Sequence, residues 1–143
     1  MTTLALTVTA AVLSLATHDT PESELDKYQG TWILVSEEFG GKTIPAKELP
    51  DDVKHLSYTV RGDKVLFASN GGDRSATIKL DPNKGPKTYD LLRDDGRSLK
   101  GIYTWDGFKT IKICAADDFG ERPMEFGTAP GSKNRIRVWK LQR

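Results

Sequence analysis

Eight turn signals punctuate the chain after residue 38: FGGK, RGDK, SNGGDR, LDPNKGPK, RDDGR, WDGF, DDFGERP and APGSKNR. In each, Gly supplies positive φ, Asp or Asn tolerates the left-handed region, or Pro fixes φ, so each is a turn with a mechanism. What remains between them is short: 55–61, 64–69, 75–80, 87–92, 98–105, 109–116 and 134–141, after a first segment TWILVSEEF. Several alternate with period two. Leu56, Tyr58 and Val60 oppose Ser57, Thr59 and Arg61; Ala76, Ile78 and Leu80 oppose Thr77 and Lys79; Ile111 and Ile113 oppose Thr110 and Lys112. That pattern belongs to a sheet wet on one face. About eight strands at regular spacing argue for an all-β antiparallel domain. Short sequential hairpins favour an up-and-down meander, which closes on itself to remove its edges. A barrel of about eight strands is either filled by side chains or just wide enough for one small ligand. The segment 44–53, with Pro45 and Pro50, reads as a loop or a single helical turn over one mouth.

At 143 residues the chain is one ordinary domain, able to bury a core unaided. Its apolar share of 37% and charged share of 29% are those of a globular protein. A formal net charge of +1 gives no global field toward nucleic acid, which is therefore not an expected partner. A single cysteine, Cys114, excludes an internal disulfide.

The first stretch, MTTLALTVTAAVLSLATHDT, carries no charged side chain before Asp19. Its apolar run is short for a membrane span, and Ser14, Leu15 and Ala16 form the small-x-small triplet that a signal peptidase accepts. Residues 1–16 are read as a signal peptide, giving an exported protein, periplasmic or extracellular, with no integral membrane segment in its mature form. An N-terminal helix packed on the domain and a misplaced start codon are the alternatives, because the leader lacks Lys and Arg. Residues 17–29 form a short helical lead-in, with Pro21 suited to a first turn and Leu25 and Tyr28 three apart. Residues 30–143 form the barrel.

Gly30, Thr31 and Trp32 at the head of the first strand resemble the Gly-x-Trp signature of the lipocalin and related calycin barrels. That resemblance implies that Trp32 plugs the closed end and that a basic residue of the last strand, Arg137 or Arg143, lies across its face. The blocks QGTWILVSEEFGGKTIP, KLDPNKGPKTYDL, LKGIYTWDGFKTIKIC and ERPMEFGTAPGS extend the likeness over nearly all the chain after the leader. Together they are similar to an uncharacterised lipocalin-like domain family abundant in planctomycete bacteria. The likeness implies a lipocalin-like barrel with a short N-terminal helix, and no established activity.

Motifs of catalysis are sparse. His18 and His55 are the only histidines, one cysteine cannot build a structural zinc site, and no Gly-x-Ser-x-Gly elbow occurs. Cys114 lies mid-strand, where a buried inert thiol is the common case. No enzyme, metal or cofactor is expected. The paired acids 51–52, 94–95 and 117–118 read as solvated turns, and the basic C-terminal strand as a solvated face.

Two functions remain. One is a binding module whose apolar barrel holds a small lipophilic or amphiphilic ligand. The other is a structural or protein-interaction domain with a filled barrel and no ligand; Trp32, Leu34, Tyr58, Phe67, Ile78, Tyr89, Ile102 and Trp105 are large enough to fill much of a narrow one. In the first case Asp90, Tyr103 and Arg122, on or beside three strands, are the candidate polar anchor for a carboxylate or phosphate head group.

Overall fold

The computed structural model describes residues 19–68 and 74–142. The expected signal peptide (1–16) and Arg143 lie outside the described residues.

A short helix, α1 (Pro21–Lys27), opens the domain. Thr20 and Ser23 form a capping box, with the Thr20 hydroxyl accepting from the Ser23 amide at 3.1 Å and the Ser23 hydroxyl accepting from the Thr20 amide at 2.9 Å. Nine strands follow: β1 (Gly30–Phe39), β2 (Lys42–Pro45), β3 (Ser57–Arg61), β4 (Lys64–Ala68), β5 (Arg74–Asp81), β6 (Thr88–Arg93), β7 (Ser98–Trp105), β8 (Thr110–Ala116) and β9 (Asn134–Gln142). A 3₁₀ turn (Ala46–Glu48) and the one-turn helix α2 (Asp51–Lys54) lie between β2 and β3.

All neighbours are antiparallel, and β3 to β9 pair in sequence order. β1 pairs with β3 along one edge and with β9 along the other, which closes an eight-stranded barrel. The architecture is the all-β up-and-down barrel with a short N-terminal helix expected from the sequence. β2 continues the hairpin from β1 outside that ring. The turn signals at residues 39–42, 61–64, 80–87, 93–97 and 105–108 each join adjacent strands. No helix among the described residues is long and apolar enough to cross a membrane.

Two departures from simple alternation shape the interior. Along β1, Leu34 faces Trp139 but Ser36 faces Val138, so one extra residue is inserted. This bulge shifts the face by one, and Glu37 is buried where strict alternation from Trp32 and Leu34 would place Ser36. On β7, Ile102 points out of the barrel, not into it: it packs with Cys114, Ile136 and Phe126 beneath the long β8–β9 connection. Ile102 therefore contributes nothing to filling the interior.

Gly30 answers to a steric demand. Its φ is +115°, and a Cβ there would stand 2.8 Å from Leu141 Cδ1. A side chain here would have to displace the tip of Leu141 and take a backbone conformation that L residues rarely adopt.

Candidate functional site

The interior divides into two halves. At the end bearing α1, Tyr28, Trp32 and Trp105 pack in mutual contact, with ring centroids 5.2 Å (Tyr28–Trp32), 5.9 Å (Tyr28–Trp105) and 6.0 Å (Trp32–Trp105) apart. Trp32 is fully buried, and its indole N–H donates to the Tyr28 carbonyl at 3.0 Å. It plugs this end. The basic partner expected across its face is not Arg137. Opposite Trp32 in register stands Leu141, and Arg137 lies farther along β9, opposite Glu37. Among the described residues, the rings of Tyr28 and Trp105 cover the tryptophan.

Beneath the plug sits Glu24, with no exposed surface. Its Oε2 accepts from the Tyr103 hydroxyl at 2.6 Å and the Trp105 indole at 2.8 Å. Its Oε1 accepts from Lys27 at 2.9 Å and Lys87 at 3.5 Å. Burial alone would raise its pKa. The hydrogen bonds from Tyr103, Lys27 and Trp105 and the charge of Lys87 outweigh burial and bring it down to about 2. The carboxylate is ionised and saturated, which leaves it nothing to offer a ligand.

The other half is hollow. A cavity of about 550 Å³ opens at the far mouth. Leu56, Phe67, Leu91, Leu99, Ile113 and Trp139 form its walls, and Tyr58 and Tyr89 form its floor. The hydroxyls of Tyr58 and Tyr89 meet that of Tyr28 from the plug side. Burial pushes both floor tyrosines well above the ordinary phenol range, so they remain neutral. At the mouth stand Arg74, Arg93, Arg135, Arg137, Asp52, Asp117 and Phe119. α2 supplies Asp52, as expected of a helical turn over one mouth.

The C-terminal strand is not a solvated basic face. Arg135 and Arg137 share the inward side with Trp139, and both contact Glu37. Arg135 Nη1 bonds one Glu37 oxygen and its Nη2 pairs with Asp117. Arg137 donates its Nε to the other Glu37 oxygen at 2.8 Å. The bulge in β1 makes this possible by turning Glu37 inward. Arg93 pairs with Asp95 at 3.2 Å and lies over the Phe119 ring at 5.4 Å.

Asp90, Tyr103 and Arg122 are not brought together. Asp90 and Arg122 do pair, at 2.5 Å, but on the outside of the wall: Asp90 alternates with the buried, inward Tyr89 and Leu91. Arg122 also donates to the Gly101 carbonyl at 2.7 Å and the Tyr89 carbonyl at 3.3 Å, fastening the β8–β9 connection to the barrel. Tyr103 points inward, to Glu24 at the closed end. Cys114 is buried in the outer cluster and does not line the cavity; burial pushes its thiol up.

Sequence reasoning missed Glu24, Glu37 and the inward aim of Arg135; it turned Arg137 inward with Trp139 but toward Trp32 and not toward Glu37. Glu24 resembles any first-turn acid of an exposed helix. The trace of the bulge is visible only as lost alternation in WILVSEEF. No protein family, curated protein or solved structure matches the chain. The site is read from its own geometry.

Proposed function

We propose that this protein is a non-enzymatic binding protein that holds one small lipophilic or amphiphilic molecule in the open half of its barrel. The observation that carries this reading is the cavity of about 550 Å³, apolar in its walls and open at one mouth. That volume falls within the roughly 300–1,000 Å³ of small-molecule sites. The cavity also argues against the filled-barrel interaction domain, which needs this half packed. The leader pattern of residues 1–16 supports export; intact mass of protein from the native host is expected to begin at Thr17, and a mature cytosolic product retaining residues 1–16 counts against export.

The cavity is tested with Nile red, a neutral apolar dye. The full-length protein is expected to bind it with enhanced, blue-shifted emission. Leu99→Trp, on the cavity wall, is expected to fill the space and abolish the signal while the protein keeps its melting cooperativity. Absence of dye binding to the unsubstituted protein, or equal binding by the two, defeats the reading.

A further inference from the structure

Of the four arginines at the mouth, Arg74 is exposed at the edge of the described residues, and the other three are held by neighbours to different degrees. Arg135 is engaged by both Glu37 and Asp117. Arg93 is engaged by Asp95 and the Phe119 ring. Arg137 spends only its Nε, on Glu37, and its two Nη groups make no other protein hydrogen bond among the described residues. It sits one strand step from Trp139 and is close enough to Tyr89 to stabilise that residue's anionic form. Its guanidinium therefore stands where the charged mouth meets the apolar wall, about two-thirds buried at 33% side-chain exposure.

This placement has a chemical consequence. A guanidinium held through Nε by a carboxylate cannot swing away, and its outer edge keeps a two-pronged donor face. That face fits the two oxygens of an oxyanion. Glu37, turned inward by the bulge, orients the fork; Arg135 is paired to both Glu37 and Asp117, so the four charges balance and what Arg137 offers a ligand is the unused donor edge of its guanidinium. Below the fork are Leu91, Ile113 and Trp139, which suit an alkyl or ring system.

We propose that the cavity selects amphiphiles with a compact oxyanion head group, a carboxylate or a phosphate, bound to the free edge of Arg137 with the apolar portion against the cavity walls. This rests on the binding reading above and names the class of ligand for the same site. Asp52 and Asp117 at the mouth lower the attraction for a highly charged head group, so the cavity favours one with a single negative charge.

The experiment uses the full-length protein and four probes with one tail: dodecanoate, dodecyl phosphate, dodecanol and dodecyltrimethylammonium, each titrated below its micelle-forming concentration by calorimetry. Dodecanoate or dodecyl phosphate is expected to bind at least about tenfold more tightly than dodecanol, since charge-assisted hydrogen bonds are the stronger kind. Whichever of the two binds more tightly identifies the head group. The trimethylammonium probe is expected to bind most weakly. Arg137→Met is expected to bring the anions down to the affinity of dodecanol while leaving dodecanol unchanged, which also shows that the cavity is intact. Arg137→Lys is expected to retain part of the preference.

Equal binding of dodecanol and dodecanoate to the unsubstituted protein overturns the head-group proposal but leaves the carrier reading standing. So does an Arg137→Met variant that weakens dodecanol and dodecanoate alike. Failure of every probe, dodecanol included, together with failure of Nile red, removes both.

Discussion

Each end of the barrel buries one glutamate, and the two ends treat it differently. At the closed end Glu24 is surrounded by four donors, of which two are neutral groups on the aromatic plug. Nothing there is left over. At the open end Glu37 meets only arginines, and each guanidinium has more donors than Glu37 can accept. A saturated buried charge specifies structure. An unsaturated one, beside a cavity, leaves hydrogen-bonding capacity for something else. The same side chain thus serves as a structural rivet at one end and as a positioner of arginines at the other.

The largest test of this contrast compares two tryptophans. Trp32 is enclosed on every side, whereas one side of Trp139 faces the cavity. Trp32→Ala is expected to cost about 3–5 kcal/mol, a large part of the roughly 5–15 kcal/mol of a typical domain. Trp139→Ala loses fewer contacts and is expected to cost about half as much, because its space merges with an existing hollow. Urea midpoints measure both. Equal midpoints contradict the division into a filled half and a hollow one.

The next effect is set by Glu24. Its pKa lies at about 2 in the folded protein against an ordinary 4.5. That difference corresponds to roughly 3 kcal/mol of stability. Because the folded value is depressed, the contribution is complete above about pH 5 and is lost as pH falls toward 2. Glu24→Gln keeps the shape and removes the charge. It is expected to be less stable by about 3 kcal/mol at neutral pH and to show a flatter acid limb when stability is measured from pH 7 down to pH 2. An unchanged acid limb means that the closed end does not depend on this carboxylate.

The contrast between the two ends also marks where the sequence stops being readable. Strand positions follow from turn chemistry and alternation, and β7 runs over the expected residues 98–105. α1 follows from Pro21 and the Leu25–Tyr28 spacing. The plug was legible only through the likeness of Gly30, Thr31 and Trp32 to the Gly-x-Trp signature of lipocalin barrels; the residues of β1 by themselves do not say which end Trp32 closes. Inward polar residues were not. Alternation assigns charged residues to the wet face, and Arg135, Arg137 and Glu37 break that rule together, each compensated by the others. Such compensation is a property of three strand positions brought into register, and no single segment carries its signature. Asp90 and Arg122 show the reverse case. They were grouped with Tyr103 as one anchor, yet the alternation of Tyr89, Asp90 and Leu91 puts Asp90 on the outer face, and the β8–β9 connection brings Arg122 to it there.

That outer pair gives the smallest effect. The Asp90 and Arg122 side chains are each about one-third exposed, and solvent screens their attraction. Arg122 would keep its bonds to the Gly101 and Tyr89 carbonyls without Asp90. Asp90→Asn is therefore expected to cost under about 1 kcal/mol and to leave dodecanoate binding unchanged. The comparison with Arg137→Met decides which side of the wall meets the ligand. Arg122 also borders a shallow outer depression of about 280 Å³ with Pro86, Pro123 and Met124. If Arg122→Met weakened anionic amphiphiles while Arg137→Met did not, the ligand would belong in that depression. The open half of the barrel would then be a hollow without an occupant, and Glu37 would be a rivet like Glu24.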